Sequence, residues 1–205
     1  MHRSNVFDAS AENIASILEL HFPTGTILDV NYGHGVFYKH TNGRKVTGVD
    51  IRPTGNVIAD NKSLPFADNS FDVGVLDPPY KRGRPGDHAR GRGYVARYGK
   101  APMTETQVTW SYEEALPELL RVCRNGIIIK IQDGTDGHKF IPRHVMISEW
   151  MRSATGLYPH DISVNARHSL PSTMVQGKPR FFQQGISYFL IYKWLSKAPY
   201  RVVRF

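Results

Sequence analysis

Residues 26–35 read Thr-Ile-Leu-Asp-Val-Asn-Tyr-Gly-His-Gly, and residues 36–39 continue with Val-Phe-Tyr-Lys. This order predicts a strand, a glycine loop and the start of a helix, which is typical of a nucleotide-binding α/β unit. A glycine-rich turn without a ligand has the same pattern. Because Tyr38 stands three residues after Gly35, the dinucleotide pattern G-x-G-x-x-G is absent, which disfavours a pyrophosphate cofactor and a nicotinamide dehydrogenase.

Three successive predicted strands end in aspartate. The first strand ends near Asp29, the second spans residues 44–50 and ends at Asp50, and the third spans residues 56–60 and ends at Asp60. The carboxyl ends of parallel strands lie along one crevice, where carboxylates need polar ligand groups or water as partners. Asp50 follows the first strand by about 20 residues, a spacing at which an acid reaches ribose hydroxyls. The series favours a ligand with a ribose and an amino-bearing base.

The apolar run 71–76 predicts a buried fourth strand, which leads directly into Asp77-Pro78-Pro79-Tyr80. Asp77 can accept hydrogen bonds from an amino group. The two prolines fix φ and leave a bare carbonyl between the acid and the ring, and Tyr80 offers a flat face for another flat group. A Pro-Pro strand end with locally packed Tyr80 fits the same residues.

Together these segments resemble the class I S-adenosylmethionine-dependent methyltransferases of the amino-methyltransferase type. Residues 28–35 are similar to the family's D-x-G-x-G-x-G motif, with Asn31 in place of the first glycine, and Val49-Asp50 resembles the second motif. Asp60, with residues 64–66 and 70–72, resembles the third. Residues 77–80 resemble the D-P-P-Y signature of enzymes that methylate exocyclic amines of adenine, cytosine or guanine. The resemblance spans residues 14–194 and, with residues 130–133, extends to small phage and prophage DNA-modification methyltransferases.

The resemblance implies a role for each motif residue. The glycine loop, with Asp29 beside it, would hold the methionine part of S-adenosylmethionine through Asn31, Tyr32, Gly33 and Gly35. Asp50 would bind the ribose hydroxyls, Ile51 would pack on the adenine ring, and Asp60 would accept a hydrogen bond from the adenine amino group. The catalytic set would be Asp77, Pro78, Pro79 and Tyr80, in which Asp77 and the Pro78 carbonyl accept from the target amine and Tyr80 stacks on the base.

The fold implied is a Rossmann-like, doubly wound, mostly parallel sheet with an antiparallel edge strand, in a single domain over residues 1–205. Periodicity predicts helices over residues 10–20, 109–124 and 142–151, with Asp8 or Ser10 as cap of the first and Thr109 or Ser111 as cap of the second. Later strands are predicted over residues 126–131, 160–166 and 185–194.

Composition is that of one globular domain, with 205 residues, 40% hydrophobic and 21% charged. Apolar runs of about 18 residues, a signal-like start and zinc-ligand spacings are missing from the sequence. Cys123 is the single cysteine, so we expect a cytoplasmic protein that neither spans a membrane nor binds a metal. The net charge of +8 favours a polyanionic partner such as DNA or RNA, and the D-P-P-Y resemblance favours DNA over RNA.

The segment from about residue 81 to 108 is predicted to be a flexible basic loop beside the catalytic corner. Its cations suit phosphates, and the tyrosines among them, Tyr94 and Tyr98, suit bases. We expect it to clamp nucleic acid, although a solvated insertion has the same composition. The cations are Lys81, Arg82, Arg84, Arg90, Arg92, Arg97 and Lys100.

Two further interpretations stay open. The same residues suit a methyltransferase acting on a transfer or ribosomal RNA base. They also suit a catalytically inactive nucleic-acid-binding module, in which Asn31 would be the lesion in the cofactor loop.

Overall fold

The computed structural model describes residues 6–7, 9–79, 103–136, 139–166 and 186–194. Its helices are α1 (Ser10–His21), α2 (Glu105–Val122) and α3 (Arg143–Thr155), with a single 3-10 turn over Val36–Tyr38. Its strands are β1 (Val6–Phe7), β2 (Ile27–Asp29), β3 (Val46–Asp50), β4 (Val57–Ile58), β5 (Phe71–Leu76), β6 (Cys123–Ile131), β7 (Gly134–Asp136), β8 (Lys139–Ile141), β9 (Asp161–Ala166) and β10 (Ile186–Lys193). No described helix is long and apolar enough to span a membrane.

Eight strands form one sheet in the order β1-β9-β10-β6-β5-β2-β3-β4, and β7 and β8 form a separate hairpin. Every pairing in the large sheet is parallel except those of β10, which is antiparallel to both β6 and β9. The predicted Rossmann-like, mostly parallel fold is confirmed. The antiparallel strand, however, lies inside the sheet rather than at its edge. Its backbone pairs with a strand on each side, and its side chains over Phe189–Tyr192 are buried in the cores on both faces of the sheet.

Successive side chains along each strand enter different cores, because a strand alternates its faces. One core packs against α1, and the other packs against α2 and α3. Residues on the α1 face include Ile27, Val73, Val75, Ile128 and Phe189. Residues on the α2 and α3 face include Leu28, Leu76, Ile127, Ile129 and Ile131. Both faces of the sheet are therefore covered, and a ligand reaches the sheet at the carboxyl ends of its parallel strands, called the carboxyl edge below.

The turn after the glycine loop and the caps of two helices are among the points at which the elements differ from prediction. The segment after the glycine loop is a 3-10 turn rather than a helix, and it is followed by Asn42 and Gly43 in the left-handed region, with φ of 52° and 74°. Helix α2 begins at Glu105, capped by Thr104 and Gln107, whose side chains each accept from the other's backbone N–H. Helix α1 does begin at Ser10, but its N-cap is Ala9, without a side-chain cap.

Candidate active site

Asp29, at the end of β2, is the most enclosed acid at the carboxyl edge of the sheet. Its side chain accepts hydrogen bonds from the backbone N–H of Asn31 at 2.8 Å and from the Tyr38 hydroxyl at 2.7 Å. Burial raises the pKa of Asp29 to about 7, although both hydrogen bonds favour the ionised form. Repulsion from Asp77 and Asp50 adds to the rise, so three of the four predicted acids lie within electrostatic range of one another.

Asp50, at the end of β3, connects the glycine loop to the next turn. One carboxylate oxygen accepts from the N–H of Gly33 at 3.1 Å, and the other accepts from the N–H of Arg52 at 2.9 Å. The Arg52 guanidinium forms an ion pair with the same oxygen at 3.4 Å. Carboxylate oxygens have two lone pairs each, so Asp50 retains capacity to accept from a ligand hydroxyl.

The loop between β2 and the 3-10 turn is shaped by Tyr32 and two glycines. Gly33 and Gly35 have φ of 56° and 67°, in the left-handed region that favours glycine. The Tyr32 ring stacks on Tyr38, with centroids 6.1 Å apart and planes 14° apart. A Cβ at Gly35 or Gly48 would collide with the Tyr32 ring, whereas a Cβ at Gly33 would meet no protein atom within 4 Å. The loop is therefore closed on the Tyr32 side and open at Gly33.

Asn31, which stands where the family motif has its first glycine, brings an acceptor into this loop. Its side-chain oxygen is buried and has no hydrogen-bond partner among the described residues. A buried acceptor without a donor costs about 1–3 kcal/mol, which a ligand N–H or O–H would recover. The residue that departs from the motif is therefore suited to binding and need not be a lesion.

The two remaining predicted cofactor residues lie at the same end of the sheet. Ile51 follows β3 and is 43% exposed, so it offers an apolar surface to the crevice. Asp60 follows β4 and is exposed, and its carboxylate accepts from the N–H of Lys62 at 3.0 Å. Asp60 thus orders its own turn and stands with its carboxylate accessible.

At the end of β5, Asp77 is paired with a lysine of the neighbouring strand. The Lys130 ammonium lies 3.2 and 3.1 Å from the two carboxylate oxygens. Lys130 also lies 5.5 Å from the centroid of the Phe37 ring, on the α1 face of the sheet. Burial raises the pKa of Asp77, and the Lys130 charge opposes that rise. Pro78 is buried and Pro79 half-buried, while Tyr80 and the basic residues 81–100 lie outside the described residues.

A second polar group at this edge was missed in the sequence. Asp133 lies two residues beyond β6, and His144 is the second residue of α3. Nδ1 of His144 lies 2.7 and 2.8 Å from the two oxygens of Asp133. The available signal was an aspartate at or beyond a strand end, as at Asp29 and Asp50, but the separation of eleven positions between Asp133 and His144 concealed the pair.

Known proteins match this chain in structure. No protein-family model matches the chain, nor does any curated protein. A Burkholderia thailandensis 1,6-didemethyltoxoflavin-N1-methyltransferase, solved with 1,6-didemethyltoxoflavin and S-adenosylhomocysteine, is 15% identical, covers 91% of this chain and 78% of its own, and has a TM-score of 0.51. A SAM-dependent methyltransferase from Methanosarcina mazei is 14% identical, covers 88% of this chain and 98% of its own, and has a TM-score of 0.50. At these identities the likeness establishes the class I methyltransferase fold.

Proposed function

We propose that this chain, which has the class I methyltransferase fold, transfers a methyl group from S-adenosylmethionine to an exocyclic amine of a nucleic-acid base. DNA adenine or cytosine is the favoured target. The observation that carries the proposal is the meeting of Asp29, Asp50 and Asp77 at the carboxyl edge of the sheet. A cationic donor and a neutral amine both suit an edge of acceptors, because carboxylates there require donors as partners.

The residues of the glycine loop fit the cofactor. Asn31 supplies an unpartnered acceptor for the donor groups of the methionine part, and Gly33 lets that part approach the backbone. Asp50 accepts from the ribose hydroxyls, Ile51 packs on the adenine, and Asp60 accepts from the adenine amino group. Bound S-adenosylmethionine supplies a methyl group on a positively charged sulfur, which is open to attack by a nitrogen lone pair.

Asp77 prepares the target nitrogen for that attack. The lone pair of an aromatic amine is delocalised into the ring, so the amine is a weak nucleophile. When Asp77 and the Pro78 carbonyl accept its two N–H bonds, the nitrogen becomes more tetrahedral and its lone pair is released toward the methyl group. Lys130 helps to hold Asp77 in its ionised, accepting form, because it opposes the effect of burial.

The choice of nucleic acid rests on charge and on the D-P-P-Y resemblance. A net charge of +8 suits a polyphosphate. The predicted clamp over residues 81–100 stays a prediction, as do the stacking role of Tyr80 and the preference for DNA. An extruded base would reach the Asp77 corner from a duplex, and an aromatic face would replace its lost stacking.

The test is methyl incorporation into DNA and RNA side by side, followed by mass spectrometry of the nucleosides. We expect the wild type to form a methylated amino base in DNA, and Asp77→Ala to lose transfer while retaining cofactor binding by calorimetry. Asp161→Ala is the matched control, because Asp161 begins β9, which β10 and β6 separate from β5, and pairs there with His21. Methylation of RNA alone would favour the RNA interpretation, and absence of cofactor binding would favour the inactive binding module.

A further inference from the structure

The Asp133–His144 pair holds an imidazole between a buried carboxylate and an aromatic ring. Both oxygens of Asp133, whose side chain is 3% exposed, face Nδ1 of His144. The imidazole also stacks on Tyr188 of β10, with centroids 4.1 Å apart and planes 19° apart. These contacts assign the proton to Nδ1, which leaves Nε2 as an acceptor. Within the described part of the chain Nε2 has no partner, and the side chain is 27% exposed.

The sheet places Asp133 beside the Asp77 corner. Strands β5 and β6 are parallel neighbours with Leu76 opposite Ile129, so the two chain segments that follow them leave the sheet side by side. Asp77 begins one of these segments and Asp133 lies on the other. The Tyr112 hydroxyl, which donates to the carbonyl of Lys130 at 2.9 Å, lies within electrostatic range of both acids.

A purely structural role accounts for only part of this geometry. Asp133 also accepts from the backbone N–H of His144 at 3.1 Å, in the first turn of α3. That hydrogen bond requires the carboxylate but not an imidazole at position 144. A buried acid that fixes the tautomer of a partly exposed histidine is instead the arrangement that prepares a proton acceptor.

We propose that His144 is the base that takes the proton released by methyl transfer, with Asp133 as its positioning residue. The inference rests on the proposed function. As the nitrogen–methyl bond forms, the carbon–sulfur bond breaks and its electron pair stays on sulfur, which becomes a neutral thioether. The nitrogen is then positively charged. One N–H proton passes to Asp77, which already accepts that N–H, and from there through water to Nε2 of His144, and the N–H electron pair returns to nitrogen. The imidazolium is stabilised by Asp133 and releases its proton to solvent.

Three variants separate this role from packing. His144→Phe keeps a ring for Tyr188 but has no base. Asp133→Asn keeps an oxygen for the backbone of α3, while its amide N–H₂ turns the imidazole to the other tautomer. His144→Ala leaves a space that free imidazole can enter. We expect the first two to lower the methyl-transfer rate on the order of 100-fold at unchanged cofactor affinity. We expect added imidazole to restore part of the rate of His144→Ala and none of that of His144→Phe.

The role of His144 can be disproved without disproving the methyltransferase activity on which it rests. Wild-type transfer rates in His144→Phe, or no effect of imidazole on His144→Ala, would overturn the role of His144 alone. A wild type that releases no S-adenosylhomocysteine with DNA or RNA would overturn both. Nitrogen NMR of the wild-type imidazole adds a test without cofactor, because a proton on Nε2 rather than Nδ1 would exclude the assigned acceptor. If His144→Phe unfolds, Asp133→Asn and the NMR spectrum decide.

Discussion

The Lys130 ammonium contacts both carboxylate oxygens of Asp77, at 3.1 and 3.2 Å, from the adjacent strand of the sheet. The lysine side chain is 10% exposed and the aspartate side chain 23%. Burial alone would favour the protonated carboxyl, which carries an O–H donor and is a weaker acceptor for an amine N–H than the carboxylate. Lys130 therefore bears on whether Asp77 is chemically able to act on an amine.

Lys130→Met should slow methyl transfer, because it changes the ionisation of Asp77. Without the positive charge, burial acts unopposed and the pKa of Asp77 rises further, so less of it is ionised at neutral pH. We expect the rate to fall on the order of 10- to 100-fold, and its decline at acid pH to move to higher pH. Lys130→Arg, which keeps the charge, is the control. A rate–pH profile of Lys130→Met that coincides with the wild type would contradict the role of Lys130.

Asp29 should make the protein more stable at mildly acid pH. Its pKa rises from 3.8 to about 7 on folding because the side chain is buried. Between these values the native state holds a proton that the unfolded state has lost, so the free energy of unfolding decreases as pH rises through this window and levels off above about 7. The full effect is about 4 kcal/mol, at about 1.4 kcal/mol for each pH unit.

Urea unfolding at several pH values checks this, with Asp29→Asn as the comparison. The amide does not ionise, so the variant should lack the part of the decrease between pH 4 and 7 that comes from Asp29. The wild-type free energy of unfolding should therefore fall relative to that of the variant throughout this range. Tyr38→Phe removes a hydrogen bond to the ionised form and should extend the decrease to higher pH. Parallel curves for wild type and Asp29→Asn would refute the assignment to Asp29.

The sequence predicts those site residues that stand at the ends of predicted strands. Asp29, Asp50 and Asp77 each follow a short β-prone run, so parallel pairing alone brings them to one edge. The sequence does not decide whether Lys130 faces the crevice or snorkels, because a lysine within an isoleucine run carries no sign of which face it takes. Only the packing of Phe37 and Asp77 around it decides that it faces the crevice.

Features that depend on contacts distant in sequence were missed. The sequence gives no sign that His144 pairs with Asp133, since Asp133 lies on the segment after β6 and His144 lies on α3. The start of α2 was placed four residues late, because Thr104 and Gln107 were included in the predicted basic loop. The helix expected after Gly35 is one 3-10 turn, since the left-handed residues at 42 and 43 end the segment before a longer helix can form.

Gly33→Ala tests the cofactor loop with a matched control in Gly43→Ala. Both glycines have left-handed φ, 56° and 74°, and an added Cβ meets no protein atom within 4 Å at either position. Each substitution should therefore cost about 1–2 kcal/mol of stability through backbone strain alone. Only Gly33 faces the proposed cofactor, so only Gly33→Ala should weaken S-adenosylmethionine binding, about 10-fold or more, in calorimetry. Equal affinities of the two variants for S-adenosylmethionine would show that the loop is not part of the cofactor site.

The ion pair between Arg143 and Glu105 should be the most costly side-chain contact to break near the site. Arg143 is 1% exposed and Glu105 6%, and the guanidinium also donates to the carbonyl of Gln132 and, at 3.3 Å, to the Thr109 hydroxyl. It thereby joins the starts of α2 and α3 to the end of β6. Arg143→Met leaves Glu105 buried without this cation, which should lower the free energy of unfolding by about 3–5 kcal/mol.

The double variant Arg143→Met with Glu105→Leu should recover much of that loss, because it removes both buried charges together. Lys62→Met is the control, since Lys62 and Glu114 form an ion pair at 2.5 Å with both side chains about half exposed. Solvent screens that pair, so its loss should cost at most about 1 kcal/mol. Urea unfolding of the four proteins gives the comparison. If the double variant is as unstable as Arg143→Met, the loss comes from the bonds to Gln132 and Thr109 rather than from the buried charge of Glu105.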